Sequence, residues 1–144
     1  MKSKLFISYS HKDSDFKDSF ISHIKLLERQ GKLFQWHDQM IDSGDEWKQS
    51  ILDNINSANI IILLISVNFI NSDFCWGIEM EIAMKRHENK EARVIPIILR
   101  PCDWHTAPFG ILKALPIDGK PIITWNIIDE GWLNVVNGIK CLIF

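Results

Sequence analysis

The sequence predicts an α/β fold of three layers, a central parallel sheet of about five strands with helices on both faces. Three observations carry that expectation. Short apolar runs alternate with segments of helical periodicity along the 144 residues, the pattern of right-handed βαβ crossovers. The run Ile60–Ser66 (IIILLIS) is continuous and β-branched, as a strand buried on both faces must be. No repeat, low-complexity tract or linker breaks the alternation, so residues 1–144 are expected to form one domain with a substantial core.

The elements follow in order. Lys4–Tyr9 (KLFISY) is a short apolar run bounded by polar residues, hence a buried strand. From Asp13 or Ser14, Phe16, Phe20, Ile24 and Leu27 recur at helical spacing until Gly31 stops the helix. Leu33–Trp36 is the second strand. After the loop HDQMIDSGDE a helix begins near Glu46, with Trp47, Ile51 and Ile55 on its packed face. Ile60–Ser66 is the central strand, and a helix capped by Ser72 or Asp73 comes next. Val94–Leu99 is a strand whose Pro96 implies an edge or a bulge. Arg100–Lys120 is irregular, Ile122–Trp125 is expected as a short last strand, and Gly131–Ile143 as a closing helix. The topology is flavodoxin-like. In such sheets ligands bind beyond the carboxyl ends of the strands, which here lead into Ser8–Lys12, His37–Asp45, Ser66–Asp73 and Arg100–His105.

Composition narrows the function classes. Hydrophobic residues at 47% and charged residues at 24% are those of an ordinary globule, which excludes disordered and fibrous readings. A formal net charge of −2 leaves no basic surplus for phosphate neutralisation, so no direct nucleic-acid partner is expected. Cys75, Cys102 and Cys141 form neither a CxxC pair nor an even disulfide set, which points to a reducing, cytoplasmic setting. The start MKSKLFISYS lacks a signal-peptide core, and Ile60–Ile65 is too short to cross a bilayer, so no membrane partner is expected. The ending GIKCLIF stops on apolar residues and reads either as one domain cut from a longer protein or as a docked terminal helix.

The stretch Phe74–Met84 (FCWGIEMEIAM) sets two acids in an apolar run. At about 100° per residue, Gly77, Glu81, Lys85 and Glu88 share the polar face, and Glu81 has Lys85 at i+4. Glu79 points nearly opposite, among Trp76, Ile78, Met80, Ile82 and Ala83. A carboxylate turned inward is costly unless partnered or used. It either pairs with Arg86 or Arg100, snorkels out, or performs chemistry.

Several chemistries are excluded by what is missing. There is no GxGxxG, no GxxxxGK[ST], no HExxH and no CxxC, which removes support for ordinary dinucleotide redox, P-loop and metal readings; no cofactor is expected. No nucleophile elbow surrounds Ser8, Ser10 and His11. One inward acid in a tryptophan-rich cleft fits a reaction with a cationic leaving group. Cleavage of the nicotinamide–ribose bond of NAD+ needs no general acid, because nicotinamide departs neutral; one carboxylate suffices to stabilise an oxocarbenium-like transition state.

FISYSHKDSDF, WHDQMIDSGDEW, ISVNFINSDFCWGIEMEIA, and IPIILRPCDW with PFGILKALPIDGKPI occur in that order over nearly the whole chain. Together they resemble the bacterial, NAD+-cleaving branch of the TIR (Toll/interleukin-1 receptor) domain family. The resemblance implies a flavodoxin-like fold and NAD+ as substrate. Its catalytic glutamate follows a Ser, aromatic, Cys, aromatic pattern, here Ser72, Phe74, Cys75 and Trp76, and so falls on Glu79. By the same resemblance, Phe6, Ser8, Ser10, His11 and Lys12 border the nucleotide cleft and Trp36 and Asp38 form a Trp-x-Asp element. Asp38 to Gly44, with Ser43 and Gly44, form a mobile loop that covers the nucleotide and makes assembly contacts. Trp76, Arg100 and Trp104 complete the candidate substrate-binding set, Arg100 either meeting a phosphate or capping its strand. Two positions depart from the family pattern: Cys75 stands where some members carry an aromatic, and Gly77 where relatives are often polar. The resemblance further implies self-association with other TIR domains, a fused or associated ligand-sensing domain and a role in antiviral defence. A non-enzymatic adaptor is the rival expectation. A phosphoacceptor domain of the same fold is not expected, since the third strand ends in Ser66 and not an aspartate.

Overall fold

The structure is a computed structural model that describes residues 2–41, 44 and 46–143. Four parallel strands form the sheet among the described residues: β1 (Ser3–Ser8), β2 (Leu33–Trp36), β3 (Ile60–Ile65) and β4 (Arg93–Ile98), in the order β2-β1-β3-β4. Helices α1 (Ser14–Arg29), α2 (Trp47–Ser57), α3 (Val67–Asn71), α4 (Met80–Glu88) and α5 (Ile128–Ile143) connect or follow them.

Strand alternation divides the apolar residues between two cores. Leu5, Ile7, Ile60, Ile62, Leu64, Ile95 and Ile97 pack with Phe20, Ile24, Leu27, Trp132, Val135 and Ile139 of α1 and α5. Phe6, Ile61, Leu63, Ile65, Val94 and Ile98 face the other way, toward Ile51 and Ile55 of α2, Phe69 of α3 and Met80 and Ala83 of α4. Every residue of β3 is buried, as its unbroken apolar run requires. The result is the expected three-layer α/β fold.

The expected fifth strand does not form. Residues Ile122–Thr124 instead make a 3-10 turn between Pro121 and Trp125. The open edge of β4 is occupied earlier, by Leu115: its amide donates to the Pro96 carbonyl and its carbonyl accepts from the Ile98 amide, both at 2.9 Å. Pro96 therefore has its missing N–H on the outer edge, where no ladder bond is lost. Trp47, expected in the core, is 58% exposed at the first turn of α2 and lies 5.3 Å from the Phe74 ring. Trp132 of α5 is 1% exposed and packs against Phe20 of α1.

The order of the strands reverses between β1 and β3. In a doubly wound sheet this is the switch point at which a crevice opens beyond the carboxyl ends.

Candidate active site

Three segments leave the strands at that crevice. Beyond β1, Ser10 caps a 3-10 turn (His11–Asp13), its side chain accepting from the Lys12 amide. Beyond β2, a second 3-10 turn (Asp38–Met40) presents Asp38. Beyond β3, Ser66 caps α3 by accepting from the Phe69 amide. Asp13, 2% exposed, accepts from Ser66 Oγ and Asn68 Nδ2 and so ties the first and third segments together.

The fourth wall is the segment that carries Glu79. Phe74–Glu79 forms a π-helical turn continuous with α4, the Met80 amide reaching the Cys75 carbonyl five residues back. Such a turn inserts an extra residue into a helix and re-aims side chains, often at functional sites. Ser72 caps it, Oγ accepting from the Cys75 amide at 3.3 Å.

A cleft of about 380 Å³ opens between these walls, lined by Tyr9, Ser10, His11, Lys12, Asp38, Asn68, Asn71, Ser72, Phe74, Cys75 and Glu79. Glu79 is 6% exposed and pairs with neither Arg86 nor Arg100. Arg86 is engaged elsewhere, donating to the carbonyls of Ile55 and Ala58 at the end of α2. Burial pushes the Glu79 carboxyl up to about 7. The Asp38 carboxylate adds to the rise, while the Ser8 and Cys75 side chains and His11 oppose it. Ser8 Oγ is fully buried beside Glu79 without an aligned partner of its own among the described residues.

Asp38 is the hub of the opposite wall. It accepts from Tyr9 Oη at 2.7 Å and pairs with His11 Nε2. Burial and that bond raise the Tyr9 pKa and keep the phenol neutral. Burial, then the nearby Lys17 charge, lowers the His37 pKa. Burial followed by the neighbouring Glu79 charge pushes the Cys75 thiol up to about 12, so it is no nucleophile.

Of the candidates read from the sequence, Ser10, His11, Lys12, Asp38 and Glu79 meet in this one cleft, and Ser8 lies beneath it. Phe6 and Trp36 do not line it: they stack on each other at 5.4 Å as sheet neighbours. Trp76 turns to the far side of its helix and meets Phe109 edge-on at 6.3 Å, beside a groove shared with Met80 and Glu81. Trp104 is 8% exposed in the second core, held over Gly119, and not in the cleft wall. Arg100 and Gly44 are exposed and outside the cleft lining, and Ser43 lies outside the described residues. Glu81 is exposed as expected, but no ion pair joins it to Lys85 among the described residues, since water competes effectively for two solvated charges.

Tyr9, Asn68 and Asn71 line the cleft and were not singled out from the sequence; Phe74 lines it too, and the sequence pointed to it only as part of the pattern before Glu79. Tyr9 ends an apolar strand run, where an aromatic reads as core; its hydroxyl reaches Asp38 in the cleft wall. Asn68 and Asn71 stood in the segment after β3, at i and i+3, a spacing that places both on one face of a helix.

Among the described residues no group of three or more His, Cys, Asp or Glu side chains is arranged to hold a metal ion. No helix among them is long and apolar enough to cross a membrane.

A family model described as the TIR domain matches residues 5–122. The chain belongs to the TIR domain family. Uncharacterized protein y4lF of Sinorhizobium fredii is 50% identical over 136 residues, covering 94% of this chain and 42% of that protein. Toll-like receptor 2 of Mus musculus is 26% identical over 145 residues, covering 94% of this chain and 18% of the receptor. The chain thus spans less than half the length of the curated relatives it matches. Among solved structures, the TIR domain of the Toll-related receptor TRR-2 of Hydra magnipapillata superposes with a TM-score of 0.67 at 20% identity, over 94% of this chain and 97% of that one. The TIR domains of the activated Roq1 resistosome superpose with a TM-score of 0.54 at 21% identity, over 66% of this chain and 56% of theirs. These likenesses establish the TIR fold.

Proposed function

We propose that this TIR domain cleaves the nicotinamide–ribose bond of NAD+, with Glu79 as the catalytic residue. The observation that carries the reading is the Glu79 carboxylate, buried at the floor of a polar cleft with no salt-bridge partner among the described residues. A group that costs stability where it stands is retained for what it does there.

In the proposed reaction Glu79 accepts hydrogen bonds from the ribose hydroxyls and faces the anomeric carbon. The C1′–N bond breaks and its electron pair passes to the pyridinium nitrogen, which leaves as neutral nicotinamide. The ribosyl oxocarbenium is stabilised by the carboxylate. Water then adds at C1′, losing its proton to solvent, to give ADP-ribose; an adenine nitrogen adding instead gives a cyclic isomer. The cation of the substrate favours the ionised form of Glu79, opposing the burial that raises its pKa. Lys12, Asn68 and Asn71 supply polar contacts for hydroxyls and phosphates.

Self-association with other TIR domains completes the cleft in this reading, and a fused or associated ligand-sensing domain triggers it in a cytoplasmic antiviral role. The test is nicotinamide release from NAD+ by a concentrated or artificially clustered preparation, beside Glu79→Ala and Glu81→Ala. Loss in Glu79→Ala alone supports the assignment, and equal activity in Glu79→Ala and the parent refutes it. The similarity to Toll-like receptors favours a second reading, a non-enzymatic adaptor acting through TIR–TIR contacts. No turnover under any clustering selects that one.

A further inference from the structure

Lys17 is 2% exposed on α1, although a lysine with no task beyond solubility belongs on the water side of that helix. Its ammonium donates to Gln39 Oε1 and to Asp18 Oδ1, both at 2.6 Å. It also stands 5.5 Å from the centre of the Tyr9 ring, within reach of a cation–π contact. Gln39 is the middle residue of the turn Asp38–Met40, and Tyr9 donates to Asp38, the first residue of the same turn. Two adjacent residues of that turn are thus gripped from one buried cation, one directly and one through an aromatic ring.

Asp18, 64% exposed at its side chain, satisfies the charge without reaching across the fold. The bond to Gln39 spans 22 residues and joins α1 to the cleft wall. Within the turn, the backbone bonds among the described residues are Met40 N to His37 O and Ile41 N to Asp38 O, too few to fix it unaided.

We propose that Lys17 is a positioning residue, which through Gln39 and the Tyr9 ring holds the turn 38–40 so that Asp38 faces Glu79 across the cleft. Its effect on turnover rests on the NAD+ reading above; its effect on the turn does not.

The test combines backbone 15N relaxation and steady-state kinetics on the parent, Lys17→Met, Gln39→Leu and Asp18→Ala. Lys17→Met keeps the aliphatic volume. Gln39→Leu removes the grip without touching the buried lysine, and covers the case in which Lys17→Met fails to fold. In the parent, order parameters over Asp38–Ile41 are expected near the ~0.85 of rigid backbone, falling toward ~0.6 in Lys17→Met and Gln39→Leu but not in Asp18→Ala. KM for NAD+ is expected to rise about tenfold in the first two, matching one lost hydrogen bond to a charged group, with kcat much less changed. Lys17→Arg, which restores the charge, should recover most of the loss. Unchanged order parameters in both variants overturn the proposal, as do lowered order parameters with KM and kcat both unmoved. If the parent itself never cleaves NAD+, the catalytic reading fails, and relaxation alone decides whether Lys17 holds the turn.

Discussion

The Cys75 thiol donates to the Tyr9 carbonyl at 3.3 Å, tying the π-helical turn that carries Glu79 to the end of β1. Two of the four walls of the cleft are therefore joined, and the cysteine that joins them is 3% exposed.

That burial makes Cys75 chemically silent. With its thiol pushed up to about 12, almost no thiolate exists at pH 8. Cys141 is exposed on α5. Iodoacetamide at pH 8 should label Cys141 in the native protein and leave Cys75 unmodified, with all three cysteines labelled in urea. Peptide mass mapping reads the outcome; rapid native alkylation of Cys75 would contradict the burial described above.

Glu79 should reveal itself through stability as much as through catalysis. Its carboxyl is pushed from an ordinary 4.5 to about 7 in the fold. A raised carboxyl leaves stability intact below pH 4.5, where both states are protonated. Stability then falls as pH rises from 4.5 through 7, because the folded state holds a proton the unfolded state has lost. At 1.36 kcal/mol per unit, the loss by pH 8 is about 3 kcal/mol. Glu79→Gln escapes it, so its Tm should exceed the parent's at pH 8 and converge with it at pH 4. Destabilisation at both pH values would show that the carboxylate is structural.

The same ionisation should govern turnover. An oxocarbenium-like transition state is stabilised by the anion, so kcat/KM for NAD+ should climb through pH 7 and level above it in clustered preparations. Bound substrate sets its cationic nicotinamide ring beside Glu79 and should move the midpoint seen in kcat below the one seen in kcat/KM. A rate that instead falls as pH rises through 7 would assign the working group to a protonated acid.

Much of this was legible in the sequence where periodicity governs. The Phe20, Ile24 and Leu27 stripe, the unbroken β3 and the inward Glu79 all follow from which face a residue occupies. The loops escaped, because nothing periodic orients them. Trp104 sits in an irregular segment and its burial depends on a neighbour, Gly119, that leaves room for its ring. Trp47 shares the helical spacing of Ile51 but sits a turn earlier, past the end of the core stripe. The missing fifth strand reflects Leu115 reaching the edge first. The Tyr9–Asp38 and Lys17–Gln39 bonds join residues 29 and 22 apart, which no local pattern encodes. The π-helical turn was invisible for a different reason: the assumed 100° per residue presupposes an α-helix.

That turn contains Gly77, and an added Cβ there would meet no atom within 4 Å. Its backbone is not in the left-handed region, so alanine is sterically free to replace it. Glycine costs roughly 1 kcal/mol against alanine in a helix interior, chiefly in backbone entropy. The residue also borders the Trp76–Met80 groove and not the cleft. Gly77→Ala should therefore raise stability by about 0.5–1 kcal/mol in urea unfolding while KM for NAD+ stays at the parent value. If stability rises but KM shifts, the turn's extra residue sets the aim of Glu79, and alanine has drawn the segment toward regular α geometry. Should stability fall, the space beside Gly77 is filled in solution by something the monomer does not contain, for which a second copy of the domain is the first candidate to test by sedimentation.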